Sequence, residues 1–466
     1  PAEGEEGDEQ ENEGDGEEEA PDTEDPVDTE EPADTEDPAE EEEDTEEEEV
    51  PEEEELPEDE AEAKLEGFSG MPSTYKLTPE QMEGKQSLSD CSDGVEGQEG
   101  ADYVEGEVVT FAESQEEAEM IAEAYNAQIT DFAYGILTLK LNDADSVEKA
   151  VRVAADMELN MPAVWPNYRR YLQEEVPVTE DAVATGDDGI EVEITEYDAD
   201  GAEVSDEEAS YLSVLDGEDP YLQPESDFYQ YQHLVVGSPY AWAAGHKGQG
   251  VTVAVLDSGV AAHNDLPAVN SIYGAGTTDN HGHGTHVAGI IGARANGQLG
   301  SGIAPEVTLL SGNLGNIYSS DVMKGIRAAV DANADIINMS IGGIGKIGNE
   351  QIVVNEAYNA GVAIFAAASN DGGQNYSYPA SYDHVISVAA TDKTNARASF
   401  SNYNNMVDLS APGVSIWSTD AGNASGYVSM GGTSMACPVA AGEAAVILSG
   451  DAELKAKSGP GRVDAL

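Results

Sequence analysis

The chain has 466 residues, enough for two or three domains, and a formal net charge of −78 that is unevenly spread. Residues 231–466 carry 18 acidic and 10 basic side chains, whereas residues 1–230 carry 78 and 8. Such a polyanionic first half argues against nucleic acid or an acidic membrane surface as partner, since both need Lys and Arg against their phosphates.

Only two cysteines occur, Cys91 and Cys437, in segments assigned to different domains, so a disulfide framework is excluded. No run approaches the roughly 18 apolar residues of a membrane span. The chain begins at Pro1 instead of Met, which suggests a removed upstream segment.

Residues 1–100 form an acidic leader. Its first 66 residues repeat the hexads "PDTEDP", "VDTEEP" and "ADTEDP" and continue in glutamate runs. This composition cannot bury a core and is expected to be disordered. Residues 101–172 change character. "VEGEVVTFA" reads as a strand. "SQEEAEMIAEAYN" reads as a helix capped by Ser114, with Ala118, Ile121, Ala122 and Tyr125 on one face. "FAYGILTLKL" is a second strand region, and "SVEKAVRVAAD" repeats the helical spacing at Val147, Ala150, Val151 and Ala154. "AVWPNYRRYL" is extended, giving a small α+β unit. Residues 173–227 are acidic again and read as a linker with a processing region.

Residues 228–466 read as an α/β domain. "VTVAVL" is a continuous apolar strand, as in a parallel sheet covered on both faces. A helix follows near 285–295 and another at 321–333. "DIINMS" is a strand, "NEQIVVNEAYNA" a helix, and "VAIFAAA" and "VISVAA" are further strands. This alternation predicts a doubly wound parallel sheet, whose sites lie at the carboxyl ends of its strands.

Those strand ends carry chemistry. "VAVLDSG" puts Asp257 just past a buried strand, "HGHGTHVAGIIGA" puts His283 at the opening of a helix, and "FAAASNDGG" puts Asn370 past another strand. "GGTSMACP" places Ser434 at or near the start of an Ala-rich helix. A hydroxyl is a poor nucleophile until a base takes its proton, and histidine is poised near neutrality to do so. The imidazolium then needs a carboxylate, and an oxyanion needs donors such as an Asn amide and the Ser434 N–H. Other readings stand beside this one. Ser434 is also a plain helix cap, His281, His283 and His286 are potential zinc ligands, and Cys437 is a rival nucleophile or inert helix packing.

The blocks "VTVAVLDSGV", "HGHGTHVAGIIGA", "INMSIGG", "AAASNDGG" and "GGTSMACPVAAG", in that order, resemble the subtilisin-like serine peptidases. The resemblance implies Asp257 as orienting acid, His283 as base, Ser434 as nucleophile and Asn370 as oxyanion donor, with no catalytic cofactor. It implies that Ser340, Ile341 and Gly342 form one edge for the substrate backbone and Gly315, Asn316 and Ile317 the opposing edge. It further implies a structural calcium held by Asp265 and Asn296, which otherwise are turn residues. The family usually has Gly where Ser369 stands and often His where Val439 stands. Residues 101–172 resemble the inhibitory propeptide, a ferredoxin-like unit, and "AVWPNYRRYL" the segment that enters the cleft. The implied protein is a monomeric, extracellular zymogen of an endopeptidase acting on proteins or peptides, with further core elements expected after Leu466. The alternatives are a catalytically silent acidic surface-binding protein and an esterase.

Overall fold

The computed structural model describes residues 102–142, 147–155, 162–173, 230–297 and 300–466. The readings of the acidic leader, of Cys91 and of the linker from 174 to 229 lie outside the described residues.

The N-terminal unit runs β1 (Tyr103–Phe111), α1 (Gln115–Ala124), β2 (Ala127–Ala133), β3 (Ile136–Leu141), α2 (Val147–Ala155) and β4 (Trp165–Tyr168). Helix α1 starts where Ser114 accepts from the Glu117 N–H at 3.2 Å, and the Glu117 carboxylate reaches back to the Glu113 N–H at 2.6 Å. Ala118, Ile121 and Ala122 turn inward onto the sheet. The sheet order is β2-β3-β1-β4 with antiparallel neighbours, the split β-α-β pattern of ferredoxin-like folds. The stretch "FAYGILTLKL" is not one strand region. It turns at Tyr134 and Gly135, with φ of 53° and 70°, a two-residue hairpin whose twist matches its strands.

A short strand β5 (Tyr171–Leu172) leads out of this unit. The second part opens with α3 (Gln232–Val236) and α4 (Ser238–Ala243), then builds a parallel sheet. Its strands are β6 (Thr252–Asp257), β7 (Asn270–Tyr273), β8 (Thr308–Asn313), β9 (Ile336–Met339), β11 (Ala363–Ala367), β12 (Val385–Thr391) and β13 (Leu409–Pro412), with β10 (Ile341–Gly342) an outlying edge. The order is β13-β12-β11-β9-β6-β8-β7. Helices α5 (His283–Gly292) and α8 (Thr433–Gly450) pack on the face carrying Val253 and Val255. Helices α6 (Ser319–Asp331) and α7 (Gly348–Ala360) cover the face carrying Ala254 and Leu256. A hairpin of β14 (Ile416–Asp420) and β15 (Asn423–Met430) and the short α9 (Ala452–Ala456) and α10 (Pro460–Val463) complete the described chain. Strand β6 has β8 on one side and β9 on the other. Its carboxyl end is therefore a topological switch point, where open α/β sheets place their sites.

By length and composition alone, the 18-residue helix α8 is apolar enough to cross a membrane, although Thr433, Ser434, Glu443 and Ser449 interrupt its apolar run. Its apolarity comes from being packed on both the sheet and α5, as a core helix must be. Glu443 is the acidic group of this helix, and burial pushes its carboxyl up from 4.5 to about 7. The folded protein thus holds this proton more tightly than the unfolded chain. That contribution is complete below about pH 4.5 and is lost as pH rises through 7. In a Ser434→Ala background, to prevent self-digestion, Glu443→Gln is expected to raise the melting temperature by a few degrees near pH 8 and to leave it unchanged near pH 4. Parallel melting curves at the two pH values check this.

The N-terminal unit rests on α6. Lys324 pairs with Asp131, and the Arg327 guanidinium donates to the Tyr134 carbonyl at 2.6 Å. Asn167 Oδ1 accepts from the Ser320 N–H at 3.2 Å, so a side chain of one unit covers a helix start of the other. Val109, Phe111, Ile136 and Trp165 share a buried cluster with Val322 and Ile326.

Candidate active site

Asp257 is the last residue of β6 and His283 the first of α5, and both are buried. His283 Nδ1 lies 2.8 Å from Asp257 Oδ1. The approach needs glycine at 284. A Cβ there would stand 2.1 Å from the Gly259 carbonyl oxygen and 3.1 Å from the Asp257 Cβ. Ser258 donates its backbone N–H to Asp257 Oδ1 at 2.7 Å, and its hydroxyl accepts from the Gly284 N–H at 3.0 Å. Asp279, which no sequence motif singles out, ties this corner. Its carboxylate accepts from the N–H groups of His281, Gly282 and Thr285 and from the hydroxyls of Ser258 and Thr285, at 2.6–3.0 Å. The one signal for it is an acidic residue shortly before a helix start, where the unpaired N–H groups favour negative charge.

Ser434 is the second residue of α8. The cap is Gly432 with no side-chain capping bond, so Ser434 does not cap the helix. Its Oγ lies instead 3.0 Å from the Ser340 carbonyl and 3.2 Å from the Gln173 carbonyl. Ser340 donates its hydroxyl to the Ser434 carbonyl at 2.8 Å, locking the first turn of α8 beyond β9. Since β9 pairs with β6, the Asp257–His283 pair and Ser434 sit at neighbouring strand ends. Asn370 Oδ1 accepts from both the N–H and the hydroxyl of Thr433, each at 2.9 Å. That fixes the amide plane and leaves Nδ2 as its donating side.

The tail of the N-terminal unit lies in this site. Strand β5 pairs antiparallel with β10, Leu172 opposite Ile341 and Tyr171 opposite Gly342. On the other side the Arg170 N–H donates to the Ile317 carbonyl at 2.7 Å, and Arg169 bridges to Tyr318. Of the residues 315–317, Ile317 makes this contact, while Gly315 and Asn316 are exposed. The Gln173 N–H faces the Ser340 carbonyl at 3.5 Å, and its side-chain oxygen accepts from the Ser369 hydroxyl at 2.9 Å. Ser369 holds φ at 91°, a costly conformation for a residue with a Cβ.

His286 and Cys437 are packing groups in this arrangement. His286 is buried, and its Nε2 is directed at the carbonyls of Ile416 and Val428 at 3.1 and 3.0 Å. Burial lowers its pKa from 6.5 to about 3, so it stays neutral as a packed donor. Among the described residues, no three His, Cys, Asp or Glu side chains converge on a metal position. Cys437 is buried, and burial pushes its thiol up, away from the reactive thiolate. Asp265 is buried as well. The Asn296 amide donates to its Oδ1 at 2.7 Å, and the Tyr427 hydroxyl lies 3.1 Å from its Oδ2 and 3.0 Å from the Gly300 carbonyl.

The profile of the subtilase family matches residues 248–458, and that of the fervidolysin N-terminal prodomain matches residues 90–158. The thermostable alkaline protease of Halalkalibacterium halodurans is 43% identical over 210 residues, which are 43% of this chain and 58% of that protein. Subtilisin DY of Bacillus licheniformis is 42% identical over 221 residues, 44% of this chain and 80% of that protein. The crystal structure of fervidolysin from Fervidobacterium pennivorans, described as a keratinolytic enzyme related to subtilisin, superposes with a TM-score of 0.59 at 26% identity. It covers 78% of this chain and 56% of that one. With the family's blocks, the parallel sheet that carries them and a prodomain of the same lineage in front, the chain belongs to the subtilase family.

Proposed function

We propose that this subtilase is a serine endopeptidase made as a zymogen, which cuts itself after Gln173 and is then restrained by the detached prodomain. The observation that carries the proposal is the placement of its own chain: the Gln173 carbonyl oxygen is 3.2 Å from Ser434 Oγ while the preceding residues pair with Ile341 and Gly342 as an added strand. Ser434 Oγ attacks the carbonyl carbon while His283 Nε2 takes its proton. Asp257, bound to His283 Nδ1, holds the ring and stabilises the imidazolium. The Asn370 amide and the Ser434 N–H donate to the oxyanion. His283 returns the proton to the leaving amine, and water then cleaves the acyl-enzyme by the same route. Ser340–Gly342 and Ile317 with its neighbours Gly315 and Asn316 are the two substrate edges. A catalytically silent acidic binding protein has no use for this constellation, and an esterase none for the strand pairing. We place the processed enzyme outside the cell, where a protease held inactive until export is safe for its source.

Full-length protein incubated with casein tests the reading. A new N-terminus at Glu174, found by sequencing the larger fragment, and loss of intact casein are expected. An uncut chain beside intact casein overturns it.

Asp265 and Asn296 also fit a calcium ion. Asp265 brings a buried carboxylate, but Asn296 turns its amide nitrogen to it, so the ion would take the carboxylate together with the Asn296 oxygen only after that amide rotates. When bound, the ion would neutralise the Asp265 carboxylate and hold Asn296 beside it. An ion bound only by the native state stabilises that state. Chelator is therefore expected to lower the melting temperature of Ser434→Ala protein, and Asp265→Ala to abolish the sensitivity. Superimposable melts with and without chelator would refute the site.

A further inference from the structure

We infer that the fourth substrate pocket selects arginine, through a carboxylate buried at its floor: Glu350. The inference rests on the peptidase reading above and narrows its substrates to peptides with arginine four residues before the cut bond. Counting back from the carbonyl that faces Ser434, Gln173 is the first residue, Leu172 the second, Tyr171 the third and Arg170 the fourth. The third is 47% exposed and makes few demands, whereas Arg170 is only 1% exposed. Its backbone N–H is held by Ile317 while its side chain leaves its own unit and enters the catalytic one.

There the guanidinium meets three acceptors. One Nη2–H points to Glu350 Oε2 at 2.5 Å, Nη2 also faces the Gly345 carbonyl at 2.9 Å, and Nη1 faces the Ile344 carbonyl at 3.1 Å. Both side chains of the ion pair are fully covered. The loop over 342–345, "GGIG", is short of side chains, so its carbonyls turn into the pocket. Glu350 is the third residue of α7, where the helix start favours its charge. The buried Tyr382 hydroxyl lies 2.9 Å from Glu350 Oε2 and 2.9 Å from the Ile347 nitrogen, which fixes the carboxylate in place. Glu350 Oε1 makes no hydrogen bond. Burial is the largest influence on Arg170 and opposes its charge, but Glu350, Tyr382 and Tyr168 together outweigh burial and raise its pKa.

Among the described residues, Arg170 is the only cation paired with Glu350. When the prodomain leaves, a carboxylate built to be covered loses its counter-charge. A substrate that fills the pocket with an apolar group would bury that charge unpaired, which is strongly unfavourable. Lysine carries the charge and three donors, but they radiate from one nitrogen, without the planar fork whose two terminal nitrogens reach Glu350 and the two carbonyls. The pocket therefore ranks arginine above lysine, lysine above neutral side chains, and glutamate last.

The test uses self-processed enzyme and acetyl-Arg-Tyr-Leu-Gln p-nitroanilide, with analogues carrying Lys, citrulline, Ala or Glu in place of Arg. The arginine peptide is expected to exceed the alanine peptide in kcat/KM on the order of 10²-fold, as for truncating one partner of a buried charge pair. Citrulline, of the same shape without the charge, is expected to fall near alanine. In Glu350→Gln the arginine advantage is expected to shrink to a few-fold. Should that variant not fold, the citrulline comparison in the unaltered enzyme decides. Equal rates for arginine, citrulline and alanine peptides overturn the inference while leaving the peptidase reading intact. Hydrolysis of none of them, with no labelling of Ser434 by a sulfonyl fluoride, overturns both.

Discussion

Ser434→Ala is expected to give a folded, full-length chain that neither cuts itself nor degrades casein. The loss in kcat is expected at roughly 10⁶, the magnitude known for subtilisin itself and not one obtained from this geometry. The substitution is a clean probe because Ser434 does no capping: Gly432 precedes the helix, and Thr433 holds Asn370. Alanine is also the better helix former at the second position of α8. The hydroxyl's contacts to the Ser340 and Gln173 carbonyls are all that is lost. Cys437, one turn along, offers no substitute, since burial keeps its thiol protonated. Electrophoresis over time shows the uncut chain, and a melting curve matching that of the parent shows that folding was not the cause. Unaltered self-cleavage in this variant would remove Ser434 from the mechanism.

The parts of the molecule legible in its sequence are those specified by local pattern. β6 is apolar from Val253 to Leu256 because both its faces are covered, so Asp257, its last residue, stands out as the polar group that ends it. His283 and Ser434 sit at helix starts announced by glycines and small residues. The features that escape the sequence lie where local pattern and tertiary role diverge. Tyr134 and Gly135 lack the Asn-Gly signature of a hairpin, so two strands read as one region. Asp279 belongs to no periodic element; it works by folding back on the helix start it precedes. Glu350 lies in a helix turn with Asn349 and Gln351, where a charge reads as solvated, yet it is buried because Arg170, 180 positions earlier, arrives beside it. No periodicity encodes that meeting. α8 diverges the opposite way: small residues dominate its apolar run and hide its length, although packing buries nearly every one.

Asn370→Ala is expected to lower kcat by roughly 10²–10³ while KM stays similar, again a magnitude carried over from subtilisin. The split follows from timing. The oxyanion exists only as Ser434 attacks, so a donor aimed at it stabilises the transition state and not the bound peptide, which is held by the strand edges at Ile341, Gly342 and Ile317. Asn370 is suited to this because its Oδ1 is held twice by Thr433, at 2.9 Å each, and the amide cannot flip without losing both bonds. Its Nδ2 therefore needs no reorganisation when charge appears. Asn370→Asp separates this role from a structural one. It keeps an oxygen for Thr433 but turns the donor into a second acceptor facing developing negative charge, so it is expected to fall at least as far as alanine. Initial rates of p-nitroanilide hydrolysis across substrate concentration give kcat and KM for each variant. If KM rises with kcat unchanged, Asn370 binds the ground-state peptide, and the oxyanion must be served by the Ser434 N–H without it.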